Sequence, residues 1–280
     1  MKHKLIRLLL LITFSSCNIL LGCSNSTTES HYNQNNSTEN NTSSVNSAND
    51  SHTEDSYPKA NNNTTKTSNN TIQNDSIDKY TLTSKTYTSN NITITYPQIN
   101  NLSDTAKADS INKLLKDAAL NVLTSYTKAE TNALTMQVDY KTALQNEKYL
   151  SIVYSGSVNL EGSAYPTSLF YTVNIDLASG SIMPLSNFAD VSNITSKLKN
   201  PSSIKVLADT NELSDAQKAF LMNMNDSDLL DILKDSDFKV VNGTVQAPTT
   251  GTYSYITDEG IVVSLQVVHA LGDHAEFLIK

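Results

Sequence analysis

Between Ser24 and Asp78, 34 of 55 residues are Asn, Ser or Thr, and the only aliphatic side chains larger than alanine are Val45, Ile72 and Ile77. A segment of this composition cannot bury enough apolar surface to offset the entropy of ordering it, so it is expected to stay disordered. Folding is thereby confined to Lys79–Lys280, about 200 residues, enough for one good-sized domain or two small packed ones. As a flexible coil the polar stretch has a root-mean-square span of ~40 Å, which suits a tether that holds a domain away from its point of attachment. His31 and His52 within it read as solvated residues, and sequons such as Asn36-Ser37-Thr38 follow from the composition.

What precedes the tether names the point of attachment. Met1 to Arg7 carries Lys2, Lys4 and Arg7 without an acid, Leu8 to Phe14 is apolar, and small or polar residues lead to Gly22. That order is the order of a secretory signal peptide over residues 1–22. A transmembrane helix needs about 20 largely apolar residues, whereas Ser15, Ser16, Cys17 and Asn18 interrupt this run. Leu20-Leu21-Gly22-Cys23 has the form of a bacterial lipobox: Gly22 admits the peptidase and Cys23 supplies the thiol that is alkylated. Each buried methylene is worth about 0.8 kcal/mol, so two or more acyl chains on Cys23 give stable anchoring. The expected location is the outer face of a bacterial cell membrane, with residues 23–78 as lipidated cysteine and tether. Cys17 falls in the leader, so the processed chain keeps one cysteine and forms no internal disulfide.

From Tyr80 onward 21 acids stand against 14 lysines, a net charge of −7. Nucleic acid is disfavoured, because phosphate binding requires a basic face. Docking on anionic polymers is disfavoured for the same reason, and a cationic partner suits the sign of the charge.

The folded part opens with a strand pair, Tyr80 to Tyr87 and Ile92 to Tyr96, turned at Ser89-Asn90-Asn91 and ended by Pro97. Ser103 or Asp104 caps a helix in which Ile111, Leu114, Leu115, Ala118, Val122 and Tyr126 recur at helical spacing. Strands are predicted over Leu134 to Leu144, Tyr149 to Asn159 and Leu169 to Leu177, with Gly180 at positive φ in the turn that follows. Leu185 to Leu233 is helical in tone: a short helix through Ile194 and Leu198, one from Ser214 with Ala219, Phe220 and Met222 as core, and one over Asp226 to Leu233. Strands over Phe238 to Val241, Gly251 to Ile256, Ile261 to Val268 and Glu276 to Ile279 close the chain, with Asp258-Glu259-Gly260 as a turn. Elements that come in blocks argue an α+β fold with a mostly antiparallel sheet and packed helices.

Four groups of residues resemble a known family. They are Tyr96-Pro97-Gln98-Ile99 before a helix with Ile111-Asn112; Leu150-Ser151-Ile152 and Ser163-Ala164-Tyr165-Pro166 before Asn174-Ile175-Asp176-Leu177; Tyr255 to Val263; and His269 to Phe277. Together they look like the extracytoplasmic domain shared by PdaC-type peptidoglycan deacetylases, as an accessory module, and RsiV-type anti-sigma-V factors, as the outer sensor. The resemblance implies an α+β fold in two subregions, residues 79–166 and 167–280, and recognition at the cell surface. The ligand it suggests is a wall-active protein such as lysozyme, or peptidoglycan. Neither deacetylation nor sigma-factor inhibition is expected to carry over, since the family's deacetylases use a separate catalytic domain and its anti-sigma factors a cytosolic segment and a membrane span, in whose place a lipid anchor is expected here.

Candidate chemistry is sparse. His269 and His274 are the only histidines of the folded part, and with Asp273 and Glu276 they have the residue types for a general base or a metal site if the Gly272-Asp273 turn brings the imidazoles together. The plainer reading has them flanking a turn, with no catalytic residue, metal or cofactor expected. A hydrolase or esterase of wall glycan or peptide with a His269/His274 centre is the alternative. Asp226, Asp228, Asp231, Asp235 and Asp237 lack the glycine and glutamate of a calcium loop and read as a solvated helix face. Asp176 reads as a turn former. Tyr165, Tyr253 and Tyr255 offer rings to a sugar or partner, or to the core. Tyr165, His269 and His274 are the candidate ligand-binding residues.

Overall fold

Alternation along the first hairpin sets the fold in motion: Ile92, Ile94 and Tyr96 are buried while the facing strand shows mostly Thr and Ser to solvent. The computed structural model describes residues 79–280. The leader, Cys23 and the tether lie outside the described residues.

Strand β1 (Thr81–Ser89) turns at Asn90, φ 51°, into β2 (Ile92–Asn100). The strand runs through Pro97 rather than ending there, because the parallel pairing of β2 with its other neighbour stops at Ile94 and asks no N–H of Pro97. Further on, the Asn112 side chain takes the Ile99 N–H and carbonyl at 2.7 and 3.0 Å. Asp104 caps α1 (Thr105–Leu120), its side chain accepting from the Lys107 N–H at 2.9 Å. A 3₁₀ turn over Asn121–Ser125 and α2 (Lys128–Ala133), closed by a Thr127/Glu130 capping box, lead to β3 (Leu134–Gln145), β4 (Tyr149–Leu160), β5 (Thr167–Asp176) and β6 (Ser181–Ile182). These form a six-stranded sheet in the order β1-β2-β3-β4-β5-β6, antiparallel except for β2 against β3.

Helices follow as a block: α3 (Leu185–Phe188), α4 (Val191–Leu198) capped by Asp190, then α5 (Asn211–Asn223) and α6 (Asp226–Lys234) after the short strand β7 (Ile204–Val206). α5 begins a turn before Ser214, because the Thr210 hydroxyl caps the Leu213 N–H. Its buried positions are Gln217 and Leu221; Ala219 is exposed and Phe220 and Met222 only half-buried. Strands β8 (Lys239–Val241) and β9 (Thr244–Gln246) make a small hairpin, turned at Asn242 and Gly243 with φ 51° and 77°. Finally β10 (Tyr253–Thr257), β11 (Gly260–Gln266) and β12 (His274–Ile279) join β7 in a four-stranded sheet ordered β10-β11-β12-β7.

The architecture is α+β in layers. On one face of the six-stranded sheet Ile94, Met136, Ile152, Tyr154 and Val173 pack against Ile111, Leu115 and Ala118 of α1. The Tyr154 and Tyr171 hydroxyls donate to the Leu115 and Ala119 carbonyls at 3.2 and 2.8 Å. On the opposite face Val153 meets Tyr255, Val262 and Leu278 of the second sheet. The far face of that sheet, with Val263, Leu265, Phe277 and Ile279, packs on α4, α5 and α6. β4 is therefore covered on both sides, which is why Leu150 to Tyr154 are buried in succession. The expected division at residue 166 falls within one continuous sheet, since β5 pairs with β4 from Tyr149–Asp176 to Val158–Thr167. Among the described residues no helix is long and apolar enough to cross a membrane.

Candidate functional site

β12 begins where the chain makes a tight return. Gln266 of β11 pairs with His274, and the Val267 N–H donates to the Asp273 carbonyl at 3.0 Å, closing a loop that holds the 3₁₀ turn His269–Leu271. Gly272 and Asp273 both take left-handed conformations, φ 97° and 68°; glycine adopts this freely, and aspartate tolerates it better than most residues. The consequence is that the Asp273 side chain turns back to the beginning of β5. Its carboxylate accepts the Ser168 N–H at 2.8 Å and lies 3.1 Å from His269 Nδ1 through either oxygen. Burial of the Asp273 carboxyl works against its ionisation, but the Ser168 N–H and His269 outweigh that and hold its pKa below the ordinary carboxylate value.

His269 is stacked in turn on Tyr165, ring centroids 4.1 Å apart and planes within 13°. Tyr165 precedes β5 and is 56 % exposed, so one face of its ring is fixed by the imidazole while the side chain remains open to solvent. Val268, next to His269 in the chain, is exposed as well.

On the other side of Asp273, His274 stacks on Phe170 at 4.4 Å and 20°. Its Nε2 lies 3.7 Å from Glu276, whose second oxygen accepts the Tyr255 hydroxyl at 2.7 Å. His274 Nδ1 is shielded from solvent without a hydrogen-bond partner. Phe170, Tyr171, Tyr253, Asp273 and His274 line a cleft of about 270 Å³, continued by Ser168 and Gln266.

The residues singled out in the sequence thus come together in part. Tyr165 and His269 form one stack, and Asp273 lies between that stack and His274. The two imidazoles do not share a partner: each is tied to a different carboxylate and a different ring. Among the described residues no three His, Cys, Asp or Glu side chains are grouped to hold a metal. Tyr253 and Tyr255 belong to the core, 7 % and 4 % exposed. Asp176 is a turn former, its carboxylate accepting the Ala178 N–H and the Ser179 hydroxyl. The acidic run divides. Asp226 and Asp228 sit in the first turn of α6, Asp231 pairs with Lys234, and Asp235 accepts from Thr249. Asp237 departs from the expected solvated face and is fully buried. Phe170 and Ser168 carry no sequence signal for the site, because the partner of Ser168 is 105 positions away.

No protein-family model matches the chain, and no curated protein does. Solved structures similar to it include a DUF3298 family member from Bacteroides fragilis, at 13 % identity and TM-score 0.39 over 72 % of this chain and 90 % of that one, and a DUF3298 family protein from Pseudomonas aeruginosa, at 13 % identity and TM-score 0.38 over 73 % and 92 %. Likeness at this level assigns neither family nor function.

Proposed function

We propose that this chain is a bacterial surface lipoprotein, anchored through Cys23, whose folded domain binds an envelope ligand without catalysis. The observation that carries the reading is the Tyr165–His269 stack: an aromatic ring held rigidly by an imidazole, left open to solvent, and joined through Asp273 to an aromatic-lined cleft. Pre-set aromatic surface beside a concave site is what recognition uses, since little side-chain freedom remains to be lost on binding. The net charge of −7 on the folded part favours a basic wall-active protein such as lysozyme over peptidoglycan as the ligand. The resemblance to the PdaC-type and RsiV-type extracytoplasmic domains and the lipobox support the setting. Calorimetric titration of the full chain with lysozyme and with soluble peptidoglycan fragments tests the reading: saturable binding of either supports it, and heat from neither contradicts it. Loss of lipid labelling in Cys23→Ser tests the anchor.

A second reading, hydrolysis of wall glycan or peptide, is favoured by one observation. The Asp273 carboxylate orients the His269 ring through Nδ1, as a general base requires. Turnover of wall fragments that His269→Gln abolishes would establish it.

A further inference from the structure

The cleft that Asp273 lines, next to its pairing with His269, carries its own statement about ligand chemistry. Phe170, Tyr171 and Tyr253 are among the residues lining it, one face of the Phe170 ring being covered by His274, and none of the lining residues is a lysine or arginine. The formal charge it presents is the Asp273 carboxylate, which the Ser168 N–H and His269 keep ionised. Asp273 is rigidly placed, between a backbone donor and a stacked imidazole, so little reorganisation is needed to meet an incoming group. An anion would be left without a counter-charge and faced by a carboxylate. A neutral apolar group would strip water from that carboxylate and offer its charge nothing beyond the Ser168 N–H and His269 it already has. A cation matches both features, since its charge meets the carboxylate while its apolar stem lies among aromatic side chains.

Resting on the reading of this region as the recognition site, we infer that the cleft accepts an alkylammonium or guanidinium group, seated between Asp273 and the ring of Phe170. Two sources share this chemistry: the side chain of a basic protein and a free polyamine.

The test follows the His269 and His274 ring resonances of the histidine-labelled full chain, assigned with His269→Gln and His274→Gln, during titration with N-acetyl-lysine methylamide and its uncharged norleucine analogue. The lysine derivative is expected to shift both resonances saturably and to bind at least about fivefold more tightly than the norleucine analogue. Asp273→Asn, which keeps an acceptor for the Ser168 N–H, is expected to weaken the lysine derivative about tenfold and leave the norleucine analogue unchanged. Equal binding of the two probes to the native protein overturns the inference, and that comparison needs no variant to fold. Spermidine binding more tightly than the lysine derivative assigns the site to free polyamines; the reverse assigns it to protein side chains. If lysozyme or peptidoglycan fragments bind while neither cationic probe does, the inference fails and the recognition reading stands; if nothing binds, both fail.

Discussion

Ser254 closes on Asp237 with both of its donors, the backbone N–H at 2.5 Å from Oδ1 and the hydroxyl at 2.6 Å from Oδ2, while its own carbonyl accepts Thr172 and Asn174 from the neighbouring sheet. Asp237 also accepts the Leu185 N–H at 2.8 Å. One buried residue pair therefore joins both sheets and the start of the helical block.

Burial pushes the Asp237 carboxyl up to about 6, against the pull of the Ser254 and Leu185 hydrogen bonds and the more distant Lys239 charge. A raised carboxyl means that between pH 4 and 6 the folded state holds more protons than the unfolded one, so this group's contribution to stability falls as pH rises through that window and is flat above it. Asp237→Asn places an amide donor against N–H and O–H donors and is expected to cost about 2–3 kcal/mol. The native protein's advantage over the variant should be largest near pH 4 and shrink towards pH 6, as read by denaturation at each pH.

Gly156 lies opposite Val138, and a Cβ there would stand 2.0 Å from the Gln137 carbonyl oxygen. The obstacle is backbone in the middle of the longest strand pair and cannot swing aside. Gly156→Ala is expected to destabilise by about 3 kcal/mol, with the denaturation midpoint lowered at unchanged slope.

Lys199 places its ammonium on the last carbonyls of α5, at 3.2 Å from Leu221 and 2.8 Å from Met222, and reaches Met224 as well. Its side chain is largely covered and also lies 3.4 Å from Asp226. Of these carbonyls, that of Leu221 already accepts the Met224 N–H, so those of Met222 and Met224 rely on Lys199 most. Lys199→Met should cost about 2 kcal/mol and speed amide exchange locally between α5 and α6.

Tyr165→Ala should leave stability within about 0.5 kcal/mol, because an open surface ring is removed without a cavity. Ligand affinity should fall at least about fivefold, as for loss of an aromatic anchor. Thermal unfolding and titration of the same sample separate the two effects.

Local rules carried much of the fold. The spacing of Ile111, Leu115 and Ala118 marks the face of α1 that packs on the sheet, and the turns at Asn90, Gly180 and Gly260 take the positive φ values that their residues permit. The Asn242-Gly243 pair is an equally local hairpin signal, and β9 could have been read from it. β7 could not, because three residues become a strand only through pairing with β12. At the site, residue type pointed to Tyr165, His269 and His274. What orders them is non-local: Asp273, in a left-handed turn, ties His269 to the Ser168 N–H on another strand, and the rings of Tyr165 and Phe170 stack on His269 and His274. Asp237 misled for the opposite reason, since one more acid after a helix gives no sign that Ser254 and Leu185 will enclose it.

The most direct test of the recognition site is the hydrogen-exchange footprint of lysozyme, or of peptidoglycan fragments, on the full chain. Protection concentrated in residues 163–170 and 267–274 is the result expected if the Tyr165–His269 stack and the cleft receive the ligand. Protection confined to other surfaces, such as the free edge of β1 or the β8–β9 hairpin, or no protection from either ligand, would contradict it.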